Sequence, residues 1–314
     1  MPMPVSELIT FLLFLSIVGC VYIIEAILLI RFGLYKSKGQ RGRKVLLSKP
    51  AIALHAISIL GLLCLLYGRF IEPTWVQLNT FEIQTPKLKN ASFRIVHITD
   101  MHCDKKPLNE QRMVSIVNSL APDVIVFTGD AANITKGVPL FKKTLSAMNT
   151  GLARLAVRGN FETRHRRGPE LYSDTGFRLL DQDTVKIEKE GETIYISGLT
   201  CDKPDGFKPL INGVPQEHYS IFLHHWSDLI EDIGAANVDL YLCGHTHGGQ
   251  IALPLYGAVI TLSKFGKKYE AGLYTVGKTT MYVNRGIGLE RSPAPKIRFF
   301  ARPEIAVFDI KPQR

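Results

Sequence analysis

The chain has 314 residues with 38 Lys and Arg, 28 Asp and Glu and 46% hydrophobic types, enough for a membrane segment plus one sizeable domain. Its formal charge of +10 is uneven, −2 over residues 1–30, +7 over 31–49 and +5 over the rest, and charge gathered beside apolar runs excludes nucleic acid as the expected partner. The five cysteines form no CxxC pair, which excludes zinc-finger chemistry, and as free thiols they favour a reducing compartment.

In chain order, Leu8 to Ile30 form an apolar run of 23 residues broken by Glu25, and Ala51 to Tyr67 a second of 17 broken by His55. The first is long enough to span a bilayer, and the second sits at the short end of the range. Met1 to Glu7 carry no Lys or Arg, and the first run is too long for a secretory signal, so residues 1–70 read as a membrane anchor of two helices. The connecting stretch 31–49 holds Arg31, Lys36, Lys38, Arg41, Arg43, Lys44 and Lys49 without an acid. The positive-inside rule puts that loop in the cytoplasm and the long C-terminal part outside. A hairpin in one leaflet, its loop on anionic headgroups, is the alternative.

Residues 71–92 read as a linker with a first strand around Phe81–Ile83. Over 93–314 short apolar runs at Arg94–Ile98, Val124–Phe127, Leu152–Val157, Thr193–Ser197, Tyr219–Leu223 and Val238–Leu242 alternate with helical patterns at Asn109–Leu120, Pro139–Met148 and Ser227–Gly234. That alternation predicts an α/β core with its site at the strand ends. Gln250 to Ile310 is richer in strand and turn signals, which predicts a mixed sheet.

Five runs end in metal-ligand chemistry: Asp100-Met101-His102, Gly129-Asp130, Gly159-Asn160, His224-His225 and Gly244-His245-Thr246-His247. Singly, a Gly-Asp after a strand is more often a helix cap. Together, clustered carboxylates and imidazoles are too costly without a metal to be structural accident. Asp100, His102, Asp130, Asn160, His225, His245 and His247 supply the seven mixed N and O ligands that two divalent ions need. With no thiolate among them, the set suits Mn, Fe, Zn or Co.

In this order and spacing the motifs resemble the signature of the calcineurin-like metallophosphoesterase superfamily, over about residues 93–310. The resemblance implies a four-layer α/β/β/α sandwich and hydrolysis of a phosphoric ester or anhydride. It also implies Asp100, His102 and His247 on one ion, Asn160, His225 and His245 on the other, and Asp130 bridging. His225 is preferred to His224 because the superfamily places its histidine before a turn such as Trp226-Ser227-Asp228.

One position departs. The superfamily usually has His after Gly-Asn, near the leaving oxygen; here it is Phe161. A missing proton donor matters least when the leaving group is itself a phosphate, whose second pKa is about 6. Arg158, Arg164, Arg166 and Arg167 nearby are candidates for phosphate contact, although a solvated or headgroup-bound basic loop is nearly as good a reading. His165 or His224 could stand in for the absent histidine.

The anchor, the basic loop and the non-His motif together resemble the membrane-anchored UDP-2,3-diacylglucosamine pyrophosphatases of lipid A biosynthesis, of the chlamydial kind. The resemblance implies an amphipathic phospholipid substrate, Mn²⁺ and a bacterial inner-membrane location. A cytoplasmic substrate needs a cytoplasmic domain, against the orientation signal of 31–49. The rivals are a membrane metallophosphoesterase acting on other lipid or cell-envelope phosphates, and an inactive scaffold. The apolar residues of 251–265 are expected to be core rather than an acyl groove, and the sequons at Asn90 and Asn133 carry no weight.

Overall fold

A computed structural model describes residues 4–36, 46–165, 167–291 and 295–313. Arg166 and the basic residues Lys38, Arg41, Arg43 and Lys44 lie outside the described residues. Helices α1 (Val5–Lys36) and α2 (Lys49–Phe70) hold 32 and 22 residues, or roughly 48 and 33 Å against about 30 Å of hydrocarbon. Their polar interruptions satisfy one another: His55 Nδ1 lies 2.7 Å from Glu25 Oε1, and Tyr22 donates to the Ser58 carbonyl at 3.0 Å. None of the most apolar stretch of α1 is buried against protein. By length and composition both helices are long and apolar enough to cross a membrane.

The rest folds around two six-stranded sheets. One runs β1 (Gln77–Thr85), β14 (Glu304–Pro312), β2 (Phe93–Ile98), β3 (Val124–Phe127), β4 (Ala153–Ala156) and β5 (Arg178–Leu179). The other runs β12 (Gly272–Val276), β13 (Thr279–Val283), β9 (Leu240–Cys243), β8 (Tyr219–Leu223), β7 (Glu192–Gly198) and β6 (Asp183–Lys189). Each sheet is mixed: β14 is antiparallel to β2, while β2, β3, β4 and β5 are parallel.

Side-chain alternation along the strands builds the layers. Val124 and Val126 of β3 face inward onto Ile221, Leu223, Leu240 and Leu242 of the opposite sheet. Their neighbours Ile125 and Phe127 face outward and pack on Met113 and Val117 of α3 (Glu110–Ser119) and Phe141 and Leu145 of α4 (Val138–Ser146). A single turn, α5 (Asn160–Arg164), follows β4. On the far side Phe222 and Tyr241 pack on Phe207 and Ile211 of α6 (Phe207–Asn212) and on Ile230 and Ile233 of α7 (Ile230–Ile233). The result is an α/β/β/α sandwich.

Three local expectations shift. The first strand grows to nine residues because β14 pairs along it in parallel register from Gln77↔Glu304 to Thr85↔Pro312. The helix expected over Ser227–Gly234 shrinks to α7 because Asp228 instead accepts from Ser263 Oγ and the Lys264 N–H. Strand β6, not foreseen, joins β7 through Glu190-Gly191, both at positive φ, the conformation a two-residue hairpin loop requires.

Candidate metal centre

The carboxyl ends of β2, β3, β4, β8 and β9 meet at one pole, and backbone bonds lace their loops together. The Asp100 N–H donates to the Gly129 carbonyl, the His102 N–H to the Asp130 carbonyl and the Gly244 N–H to the His225 carbonyl, each at 2.9 Å. Two glycines are demanded by contact: a side chain at Gly159 would strike the Asp130 carboxylate, and one at Gly244 would strike that of Asp100. Asp100, His102, Asp130, His245 and His247 all have positive φ. Asp and His tolerate that region better than most residues, yet each such position costs on the order of 1 kcal/mol or more.

Asp100, His102 and His247 form one group and Asp130, His225 and His245 another, with the ligand atoms of each within 4.8 Å of one another. Asp130 Oδ2 faces both groups, 3.3 Å from His225 Nε2 and 3.5 Å from His102 Nε2. Its other oxygen accepts from the Phe161 N–H at 2.9 Å. Asn160 opens α5 between two residues that touch Asp130, and its Oδ1 accepts from Trp226 Nε1 at 3.1 Å. Asp100 Oδ1 and His225 Nε2 are buried without any hydrogen-bond partner. With His225 Nε2 3.3 Å from Asp130 Oδ2 and His247 Nε2 3.3 Å from Asp100 Oδ1, carboxylates and imidazoles crowd one buried pocket, a mixed N and O donor set that fits divalent metal.

For three of the histidines the second ring nitrogen is met by protein. His225 Nδ1 meets the Thr128 carbonyl at 2.7 Å and His245 Nε2 meets that of Leu262 at 3.2 Å, the outer contacts that fix a ligating imidazole. His247 Nδ1 lies 3.3 Å from Arg298, whose guanidinium is fully buried and also donates to the carbonyls of Arg285, Gly286, Gly288 and Ala301. Burial pushes the Asp100 carboxyl up, an effect partly offset by His225. For His225 burial opposes the charged ring, but Asp130 and Asp100 outweigh it and raise its pKa. Burial lowers His102 to about 4 and His245 to about 3, which keeps these rings neutral, as ligation needs.

Metal uptake must therefore displace protons from Asp100 and His225, and apparent affinity rises with pH. Titrating Mn²⁺ into weakly buffered protein near neutral pH is expected to release about one proton or more per protein. Uptake with no proton release would contradict this charge state.

Three of the four arginines lie among the described residues. Arg158 Nη2 lies 3.3 Å from Asp181 and 3.6 Å from Asp202, and Arg167 is buried with its guanidinium on the Ala132 carbonyl. Both have partners within the protein. Arg164 is exposed and stands over the Phe161 ring, 5.4 Å from its centre. Phe161 in turn sits edge-on to His102 with ring centres 4.5 Å apart. Of the two histidines that could stand in for the missing one, His165 Nδ1 meets the Phe161 carbonyl, and buried His224 meets that of Leu199.

Sequence reading assigned no role to Glu162, Asn133, Trp226 or Arg298. Glu162 is wholly buried and accepts from the N–H groups of Gly159, Asp130 and Ala131 at 2.6, 2.9 and 2.6 Å. Its signal was present in the Gly159-to-Glu162 spacing, the third helical position reaching back to the cap. Asn133 donates to the carbonyls of His102 and Leu289, bracing the His102 loop. Nothing local announces that contact across 156 residues.

Residues 93–249 match the family described as calcineurin-like phosphoesterase. An uncharacterized metallophosphoesterase of Bacillus subtilis, YkuE, is 32% identical over 264 residues, covering 78% of this chain and 89% of its own length. A phosphodiesterase of Escherichia coli, YaeI, is 28% identical, covering 78% and 92%. The UDP-2,3-diacylglucosamine pyrophosphatase LpxG of Chlamydia muridarum is 26% identical, covering 82% and 95%.

Proposed function

Because the chain belongs to the calcineurin-like phosphoesterase family, we propose that it is a dinuclear-metal hydrolase acting at the membrane on the pyrophosphate of UDP-2,3-diacylglucosamine. The products are 2,3-diacylglucosamine 1-phosphate and UMP. Family membership makes it a metal-dependent phosphoester hydrolase; the named substrate rests on Phe161 and on the likeness to LpxG. We take residues 93–314 as the catalytic unit and 1–70 as its anchor.

In this reading Asp100, His102 and His247 would hold one ion, Asn160, His225 and His245 the other, and Asp130 would be shared between them, with Mn²⁺ favoured by the mixed N and O donors. Bound there, the ions supply positive charge for the phosphoryl oxygens and lower the pKa of the attacking water. The chain's own residues do the rest. Thr128 and Leu262 fix the His225 and His245 rings through their carbonyls. Arg164, exposed among the described residues of the cluster, offers a guanidinium to a substrate phosphate. Phe161 lays an apolar ring against His102 where a proton donor would otherwise stand, which suits a leaving group that departs as phosphate.

That ring is the observation carrying the substrate proposal. Purified protein with Mn²⁺ is expected to release UMP from UDP-2,3-diacylglucosamine and to hydrolyse alkyl phosphomonoesters poorly. Phe161→His is expected to raise the phosphomonoester rate by roughly 100-fold, the size of a positioned general acid, and to change pyrophosphate cleavage little. Good phosphomonoesterase activity without UMP release would overturn the proposal.

A second reading, hydrolysis of other lipid or envelope phosphodiesters outside the cytoplasm, has two supports. Glu7 near the start of α1 and Gly68 near the end of α2 both bond the catalytic part, so a spanning pair puts that part opposite the basic loop. Glu290 has its carboxyl pushed up to about 7 by burial and by Asp130 and Asp100, the range that a proton donor for an alkoxide would need. Labelling of an introduced surface cysteine in intact cells separates the two: reaction from outside favours this second reading.

A further inference from the structure

Segment 251–265 is neither plain core nor groove. Its root is packed, with Ala252, Ala258 and Val259 buried, but the loop between β10 (Ala252–Leu253) and β11 (Gly257–Ala258) projects, leaving Leu255 fully exposed and Tyr256 43% exposed. The Tyr256 hydroxyl lies 3.0 Å from Thr10 Oγ1, and Thr10 stands inside the apolar run of α1. Beneath the loop the Lys267 ammonium sits 4.0 Å from the centre of the Tyr256 ring and donates to the carbonyls of Tyr256 and Ala258. An apolar tip, an amphipathic ring touching a membrane helix and a cation at the base form the sequence of polarities found across a bilayer interface. The exit of α2 repeats it: Trp75 is half exposed, with the Arg302 guanidinium 4.1 Å from its ring centre.

We propose that the β10–β11 hairpin is a third membrane contact, with Leu255 entering the acyl boundary beside the first turns of α1 and Tyr256 and Lys267 lying among the headgroups. Its partner is the lipid bilayer, because the tip continues the surface of a helix already in the membrane. The contact aims the metal centre at the lipid. Glu7 of α1 accepts from the N–H groups of Thr261 and Leu262, and the Leu262 carbonyl holds His245. On the other side the Gly68 carbonyl of α2 accepts from the Arg298 N–H, and Arg298 touches His247. One histidine of each ligand group is thus a single residue removed from a membrane helix. A phosphate at headgroup depth reaches the centre without its acyl chains leaving the bilayer.

The proposal rests on membrane association and not on the substrate, so its test reads position rather than turnover. The full chain carrying Leu255→Trp is reconstituted in phosphatidylglycerol–phosphatidylethanolamine vesicles with brominated acyl chains, and the parent emission from Trp75 and Trp226 is subtracted. Leu152→Trp, half exposed at the amino end of β4, away from the ligand-bearing pole, is the control. Position 255 is expected to emit at shorter wavelength and lose at least about half its intensity to the bromines, as an interfacial side chain does, while position 152 is unaffected. Water-like, unquenched emission at 255 overturns the proposal. So does shielding that the bromines leave untouched and dilution removes, which would make a second copy of the chain the partner.

Discussion

Replacing Asp130 is expected to lower turnover by about 1,000-fold or more and to strip metal from the protein. Asp130 Oδ2 lies within 3.5 Å of a histidine of each ligand group, and losing charge stabilisation worth several kcal/mol converts to that factor at 1.36 kcal/mol per decade. Asp130→Ala mixes two effects, because the residue sits at φ 59°, where alanine adds strain that aspartate and asparagine tolerate better. Asp130→Asn keeps the shape and the backbone and removes only the charge. Metal content by elemental analysis, read beside activity, distinguishes the causes. Unchanged metal content in Asp130→Asn with full activity would sink the dinuclear reading.

The largest expected effect on stability belongs to Glu162→Ala. Three backbone N–H groups from two strand-end loops converge on this one buried carboxylate, and each unpaired buried donor costs on the order of 1 kcal/mol or more. A loss of roughly 3 kcal/mol follows, measured as a lowered unfolding midpoint of metal-free protein, so that loss of metal is not counted as loss of packing. A midpoint unchanged from the parent would show that water replaces the carboxylate. Glu162→Gln is expected to lose less, because one amide oxygen still accepts, although its amine then faces a donor.

The positions of the candidate ligands were legible because each group closes an apolar run. A strand end is a local property, readable from hydrophobic residues followed by glycine and a polar group. The same holds for α3 and α4, whose patterns match their observed spans to within two residues. The partners of Arg158 and Arg167 were not legible, for the opposite reason. A basic cluster shows that charge is present, but Asp181, Asp202 and the Ala132 carbonyl, which claim these side chains, are brought there only by the fold.

The sequence by itself determined which groups stand at the strand ends, that two apolar helices precede them, and that inward and outward faces alternate to make layers. Each of these follows from a short period in the chain. Tertiary structure alone decided that Asp130 lies between two trios, that Glu162 locks two loops at once, and that one histidine of each trio is held through a contact to a membrane helix. Those facts depend on strand order, with β14 inserted between β1 and β2 and the two sheets stacked face to face. Pairings between residues 145 or more positions apart, such as His245 with Asp100, are set by burial summed over the whole core and leave no periodic trace in the chain.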